Sequence, residues 1–87
     1  MYSEAESLLI ALCLKGDRQA QHTLYKRYSD AMFNVCHRML GNEVEAEDVL
    51  QESFIDVFRR LDSFRAESSL GAWIKRIVIN HCLNVFK

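Results

Sequence analysis

Apolar side chains recur at spacings of three and four along nearly the whole chain, and never in the strict alternation of a half-buried strand, so the pattern predicts helices throughout. Ser3 and Glu6 have capping-box spacing ahead of a first apolar run, which stops before Gly16. Asp17 is placed to cap a second helix in which Ala20, Leu24, Tyr28, Met32, Val35, Cys36 and Met39 share one face, until Gly41 ends it. At about 1.5 Å per residue this helix is roughly 35 Å long. A third helix starts between Glu43 and Ala46 and turns Ala46, Val49, Leu50, Phe54, Val57, Phe58 and Leu61 inward. A fourth starts near Ser69 and runs to the end of the sequence, with Leu70, Ile74, Ile77, Val78, His81 and Val85 as its apolar strip. His81 is expected there as a packed core histidine. The polar stretch from Asp62 to Ser69 joins the last two helices.

The fold class expected is therefore all-α, a compact four-helix domain with one short functional loop between helices three and four. The 87 residues suffice for one modest core, and the absence of proline with only three glycines suits helices. No stretch approaches the ~20 apolar residues of a membrane span, and acidic rather than basic residues precede the first apolar run, so membrane insertion and export are not expected. A cytoplasmic location follows. Cys13, Cys36 and Cys82 are odd in number and far apart, which suits reduced core thiols better than disulfides or a zinc site. The three histidines and three cysteines form no nucleophile, base or metal constellation, and no glycine-rich phosphate loop is present. No catalytic residue, metal or cofactor is expected.

Charge changes this picture, because a net −1 conceals segments of +1 (residues 1–42), −6 (43–56) and +4 (57–87). An acidic surface beside a basic one fits a domain that bridges a basic protein and a phosphate backbone. Acids gathered at a helix N-terminus also suit the helix dipole. On a helical wheel Asp48, Gln51, Glu52, Ile55, Arg59 and Asp62 occupy about one third of the circumference, opposite the core. An isoleucine ringed by carboxylates and an amide suits docking on a basic, partly apolar helix, though a plain solvated face has the same composition. On helix four, Trp73, Arg76, Asn80, Asn84 and Lys87 form a second strip of aromatic, cationic and amide groups. Trp stacks on bases, Asn reads base edges, and Arg and Lys hold phosphates. The competing reading has Trp73 in the core and the rest as a polar face.

These residues carry a resemblance. The stretch "AEDVLQESFIDVFRRLDSFRAESSLGAWIKRIVINHCLN" is similar to region 2 of the extracytoplasmic-function group of bacterial sigma factors. That family's pattern is D-x-x-Q-E, then L-x-x-F-R, a short Ser-containing loop, and W-x-x-x-I-x-x-N. It is matched here by Asp48, Gln51 and Glu52, by Leu61, Phe64 and Arg65, and by Trp73, Ile77 and Asn80. The preceding "DRQAQHTLYKRYSDAMFNVCHRMLGNEVEAEDV" resembles the family's opening helical pair. Gly71 departs from the pattern, where a larger residue is more usual, so the start of helix four is the least defined boundary.

The resemblance implies a transcription initiation factor rather than an enzyme. Asp48, Gln51, Glu52 and Ile55 would dock on the clamp helices of the largest subunit of core RNA polymerase. Phe64, Arg65, Ser68 and Ser69 would form a loop pocket for an extruded base, with Trp73, Arg76, Asn80 and Lys87 along the non-template strand of the minus-ten promoter element. An anti-sigma factor is a further partner implied by the family. The family's linker and its helix-turn-helix domain have no counterpart in the sequence, so residues 1–87 are expected to be the region 2 part of a longer factor. The rival account is a helical protein-interaction module that never touches DNA.

Overall fold

The structure, a computed structural model, describes residues 4–87. Ser3, expected to cap the first helix, lies outside them. Four α-helices follow in chain order: α1 (Glu4–Leu14), α2 (Arg18–Leu40), α3 (Glu43–Arg60) and α4 (Leu70–Val85), with a 3-10 turn at Leu61–Ser63. The local chemistry sets each boundary. The Asp17 carboxylate accepts from the Ala20 amide at 2.8 Å, capping α2. Its end is fixed by Gly41, whose φ of 70° lies in the left-handed region that only glycine enters without cost. Asn42 then caps α3 through the Glu45 amide, and Ser69 caps α4 through the Ala72 amide.

The core is one cluster in which Leu24, Cys36, Ala46, Val57, Leu70, Ile74, Val78 and Cys82 are wholly buried. Leu61 belongs to it although it sits in the 3-10 turn, and so anchors the start of the loop. Ser53 is also fully buried on α3, its hydroxyl satisfied by the Val49 carbonyl at 2.7 Å. All three cysteines are buried and free. Burial, together with the neighbouring Cys82 thiol, pushes the pKa of Cys36 up to about 12, so this thiol is inert at neutral pH.

Three expectations need correction. Phe58 is only half-buried, since it lies at the edge between α3 and α2. Val85 is exposed along with Leu83 and Phe86, because the last turn of α4 lies beyond the cover of the other helices, and Cys82 packs inward in its place. His81 is not a packed core histidine: its Nε2 donates to Asp56 Oδ2 at 3.0 Å. Glu6 accepts the Tyr28 hydroxyl at 3.0 Å, tying α1 to α2. Helix four begins at Leu70 despite Gly71, whose missing side chain leaves room for Tyr28. A Cβ there would stand 3.2 Å from Tyr28 Cε1.

Candidate functional site

The loop after α3 is shaped by a short series of constraints. The Phe64 amide closes the 3-10 turn on the Leu61 carbonyl at 3.1 Å, and the Ser63 hydroxyl bonds the Arg60 carbonyl at 2.6 Å. Ala66 then takes a φ of 59°, a left-handed conformation disfavoured by about 1–2 kcal/mol for a residue with a Cβ. This reversal returns the chain toward α4, where the Phe64 ring meets Trp73 with centroids 5.3 Å apart and planes 54° from parallel. Both rings are half-buried and packed against the core.

Around this aromatic pair lies a cavity of about 390 Å³, lined by Ser63, Phe64, Arg65, Glu67, Ser68, Ala72, Trp73 and Arg76. It is large enough for a nucleobase, offers two rings for stacking, and carries two guanidinium groups on its walls. Five of the eight loop and α4 residues that the resemblance assigns to DNA thus share one hollow: Phe64, Arg65, Ser68, Trp73 and Arg76. Ser69 is committed to capping α4. Asn80 lies in a neighbouring hollow with Ala72, Lys75, Arg76 and Ile79, so Arg76 stands between the two. Lys87 lies past the end of α4, about 16 Å along the helix axis from Arg76. It is not brought to the cavity. Ser63, Glu67 and Lys75 were not singled out from the sequence; the +4 charge of the segment was the only signal toward Lys75.

On α3, Asp48, Gln51, Glu52 and Ile55 are all exposed, as the wheel required, and Ile55 keeps 60% of its surface in water. The face is not a bare helix surface. On one side of Ile55 is a hollow of about 260 Å³, formed with Gln21, His22 and Tyr25 of α2 and with Gln51, Phe54 and Phe58. The Gln51 side-chain amide donates to the Tyr25 hydroxyl at 3.2 Å, and the Tyr25 ring meets Phe54 edge-on at 4.9 Å. On the other side is a hollow of about 330 Å³ formed by Glu52, Ile55, Asp56 and Arg59 with His81 of α4. There the bond from His81, with that from Arg60 at 3.3 Å, pulls the pKa of Asp56 down and keeps it ionised.

Among the described residues no group of three or more His, Cys, Asp or Glu side chains is placed to hold a metal ion. Nor is any helix among them long and apolar enough to cross a membrane.

Residues 24–87 match the family model Sigma-70 region 2. The chain is 41% identical over 66 residues to the ECF RNA polymerase sigma factor SigW of Bacillus subtilis, covering 76% of this chain and 35% of that protein. It is 33% identical over 81 residues to the RNA polymerase sigma-H factor of Pseudomonas aeruginosa, covering 93% and 42%. Against the ECF RNA polymerase sigma-E factor of Escherichia coli K12 it is 34% identical over 79 residues, covering 91% and 41%. The chain therefore spans well under half the length of these relatives. Among solved structures, an NMR complex of an engineered region 2 of sigmaE with GTAAAA is similar with a TM-score of 0.84 and 31% identity, covering 98% of this chain and 90% of that one.

Proposed function

The chain belongs to the Sigma-70 region 2 family, in its extracytoplasmic-function type, and from that premise we propose that it docks on core RNA polymerase through α3 and captures the melted non-template strand of the minus-ten promoter element. The observation that carries this reading is the cavity floored by Phe64 and Trp73 and walled by Arg65 and Arg76, in a fold whose solved relative holds GTAAAA. A base entering this cavity leaves its stack at a cost of a few kcal/mol, offset by stacking on one ring and edge contact with the other, the two planes being 54° apart. Arg76 and Lys75 hold the adjacent phosphates, and Asn80, in the neighbouring hollow, reads the next base edge. Ser68 supplies a hydroxyl to the cavity, while Ser69 acts through the helix start it caps.

Docking supplies the affinity that so few cations cannot. Asp48, Gln51, Glu52 and Ile55 present an acidic face with an apolar anchor to the clamp helices of the largest polymerase subunit, and strand capture becomes effectively intramolecular. The protein makes and breaks no covalent bond in this role. It works in the cytoplasm as the region 2 part of a longer factor, with an anti-sigma factor as the regulatory partner that the family implies.

The test of this reading is co-elution of the purified chain with core RNA polymerase. Glu52→Lys should weaken that binding by at least about 2 kcal/mol without lowering the melting temperature. Binding equal to the parent's, for both Glu52→Lys and Gln51→Ala, would refute the docking face. A chain that binds polymerase but never recruits single-stranded promoter DNA would instead be a protein-only adaptor.

A further inference from the structure

The hollow between α3 and α4 gives the docking reading a specific partner chemistry. It is lined by Glu52, Ile55, Asp56 and Arg59 of α3 and by His81 of α4. Both hydrogen bonds that Asp56 makes among the described residues end on Oδ2, one from His81 Nε2 at 3.0 Å and one from Arg60 Nη1 at 3.3 Å. Oδ1 of the same carboxylate is left to accept from an incoming donor. The Glu52 carboxylate is exposed beside it, and Ile55 supplies an aliphatic wall. Two carboxylates beside an apolar wall match a planar guanidinium and its methylene stem, a fork of N–H donors too wide for a lysine ammonium to imitate.

We propose that this seam receives an arginine side chain of the polymerase helix on which α3 docks, with His81 as the positioning residue that holds Asp56 in the accepting orientation. The proposal rests on the reading that α3 is the docking face, and it extends that face onto the helix assigned to DNA. Asn80, set to read a base, and His81, set to hold the docking carboxylate, are adjacent on α4, so docking and strand reading share one helix. Arg59 in the same lining sets the alternative: if the occupant were an anionic group, Arg59 would hold it and Asp56 would repel it.

The experiment measures binding of the 87-residue chain to core RNA polymerase for Ile55→Ala, Asp56→Asn, His81→Ala, His81→Gln and Arg59→Ala, with the melting temperature of each. It also maps polymerase arginines protected from phenylglyoxal by the bound chain. Asp56→Asn should weaken binding about tenfold at low salt and less at high salt, since the pair is partly exposed. His81→Ala should weaken it similarly, and His81→Gln, which keeps an N–H donor, should restore most of the loss. A histidine with a merely structural role would lower the melting temperature without this rescue. At least one arginine protected by the parent should become reactive in the Asp56→Asn complex. The proposal is overturned if Ile55→Ala weakens binding while Asp56→Asn and His81→Ala do not, if the parent and Asp56→Asn protect the same arginines, or if Arg59→Ala weakens binding and Asp56→Asn strengthens it. Should Ile55→Ala also bind like the parent, the docking face itself fails.

Discussion

Phe64 and Trp73, nine positions apart in sequence, meet with ring centroids 5.3 Å apart and join the loop after α3 to the first turns of α4. Neither ring alone makes a site. Together they give a stacking floor whose position is fixed at both ends, by Leu61 in the core and by the Ser69 cap.

Phe64→Ala should therefore cost about 1–3 kcal/mol of single-strand affinity, the usual worth of one base on one ring. Trp73→Ala should cost as much or more. Anisotropy of a labelled oligonucleotide bound to the chain with polymerase checks both, and melting curves show whether the fold has survived. Unchanged affinity for both variants would place the strand elsewhere.

Gly71 is expected to be a packing residue. Glycine inside a helix costs roughly 0.5–1 kcal/mol relative to alanine, yet a Cβ here would stand 3.2 Å from Tyr28 Cε1, and the Tyr28 hydroxyl is tethered to Glu6. Gly71→Ala should change stability by less than about 1 kcal/mol, the helix gain and the displaced ring roughly offsetting each other. Gly71→Leu adds volume the ring cannot yield and should destabilise by about 1–3 kcal/mol in chemical denaturation.

Asp56 should set part of the acid sensitivity. Its pKa is held down first by the His81 hydrogen bond and then by Arg60, against the opposing effect of burial. A depressed folded-state pKa means stability that is present above the unfolded value of about 4 and disappears as pH falls through the folded value. Melting temperatures between about pH 6 and pH 2.5 should fall more steeply for the parent than for Asp56→Asn. Parallel curves would contradict the role given to this pair.

Much of the fold could be read from the sequence because its signals are local. Asp17 and Gly41 bound α2 by side-chain and backbone chemistry within a few residues, and the period of the apolar positions in α3 separated Ile55 from Phe54 correctly. What periodicity does not contain is which helix covers which turn. Val85 continues the apolar strip of α4 yet is exposed, because no element reaches the last turn. His81 sits on the same strip but faces Asp56, 25 positions away in sequence, and only the packing of α4 on α3 brings the two together. The hollows beside Ile55 were hidden for the same reason, since Tyr25 and His22 come from α2. On α4, a wheel groups Lys87 with Arg76 by angle while ignoring the rise along the axis.

The central claim is that the Phe64–Trp73 cavity and the adjoining face of α4 read a single strand. It is tested most directly by anisotropy of a fluorescent single-stranded oligonucleotide containing GTAAAA, against a scrambled strand, with core RNA polymerase present and at two salt concentrations. The parent should prefer GTAAAA. Asn80→Ala should lose about 1–3 kcal/mol of that preference, whereas Arg76→Ala should weaken both strands and reduce the logarithmic salt slope by about 0.7 for each phosphate no longer neutralised. If neither substitution changes affinity, preference or salt slope while polymerase binding is intact, α4 does not read the strand and the DNA-binding account is wrong.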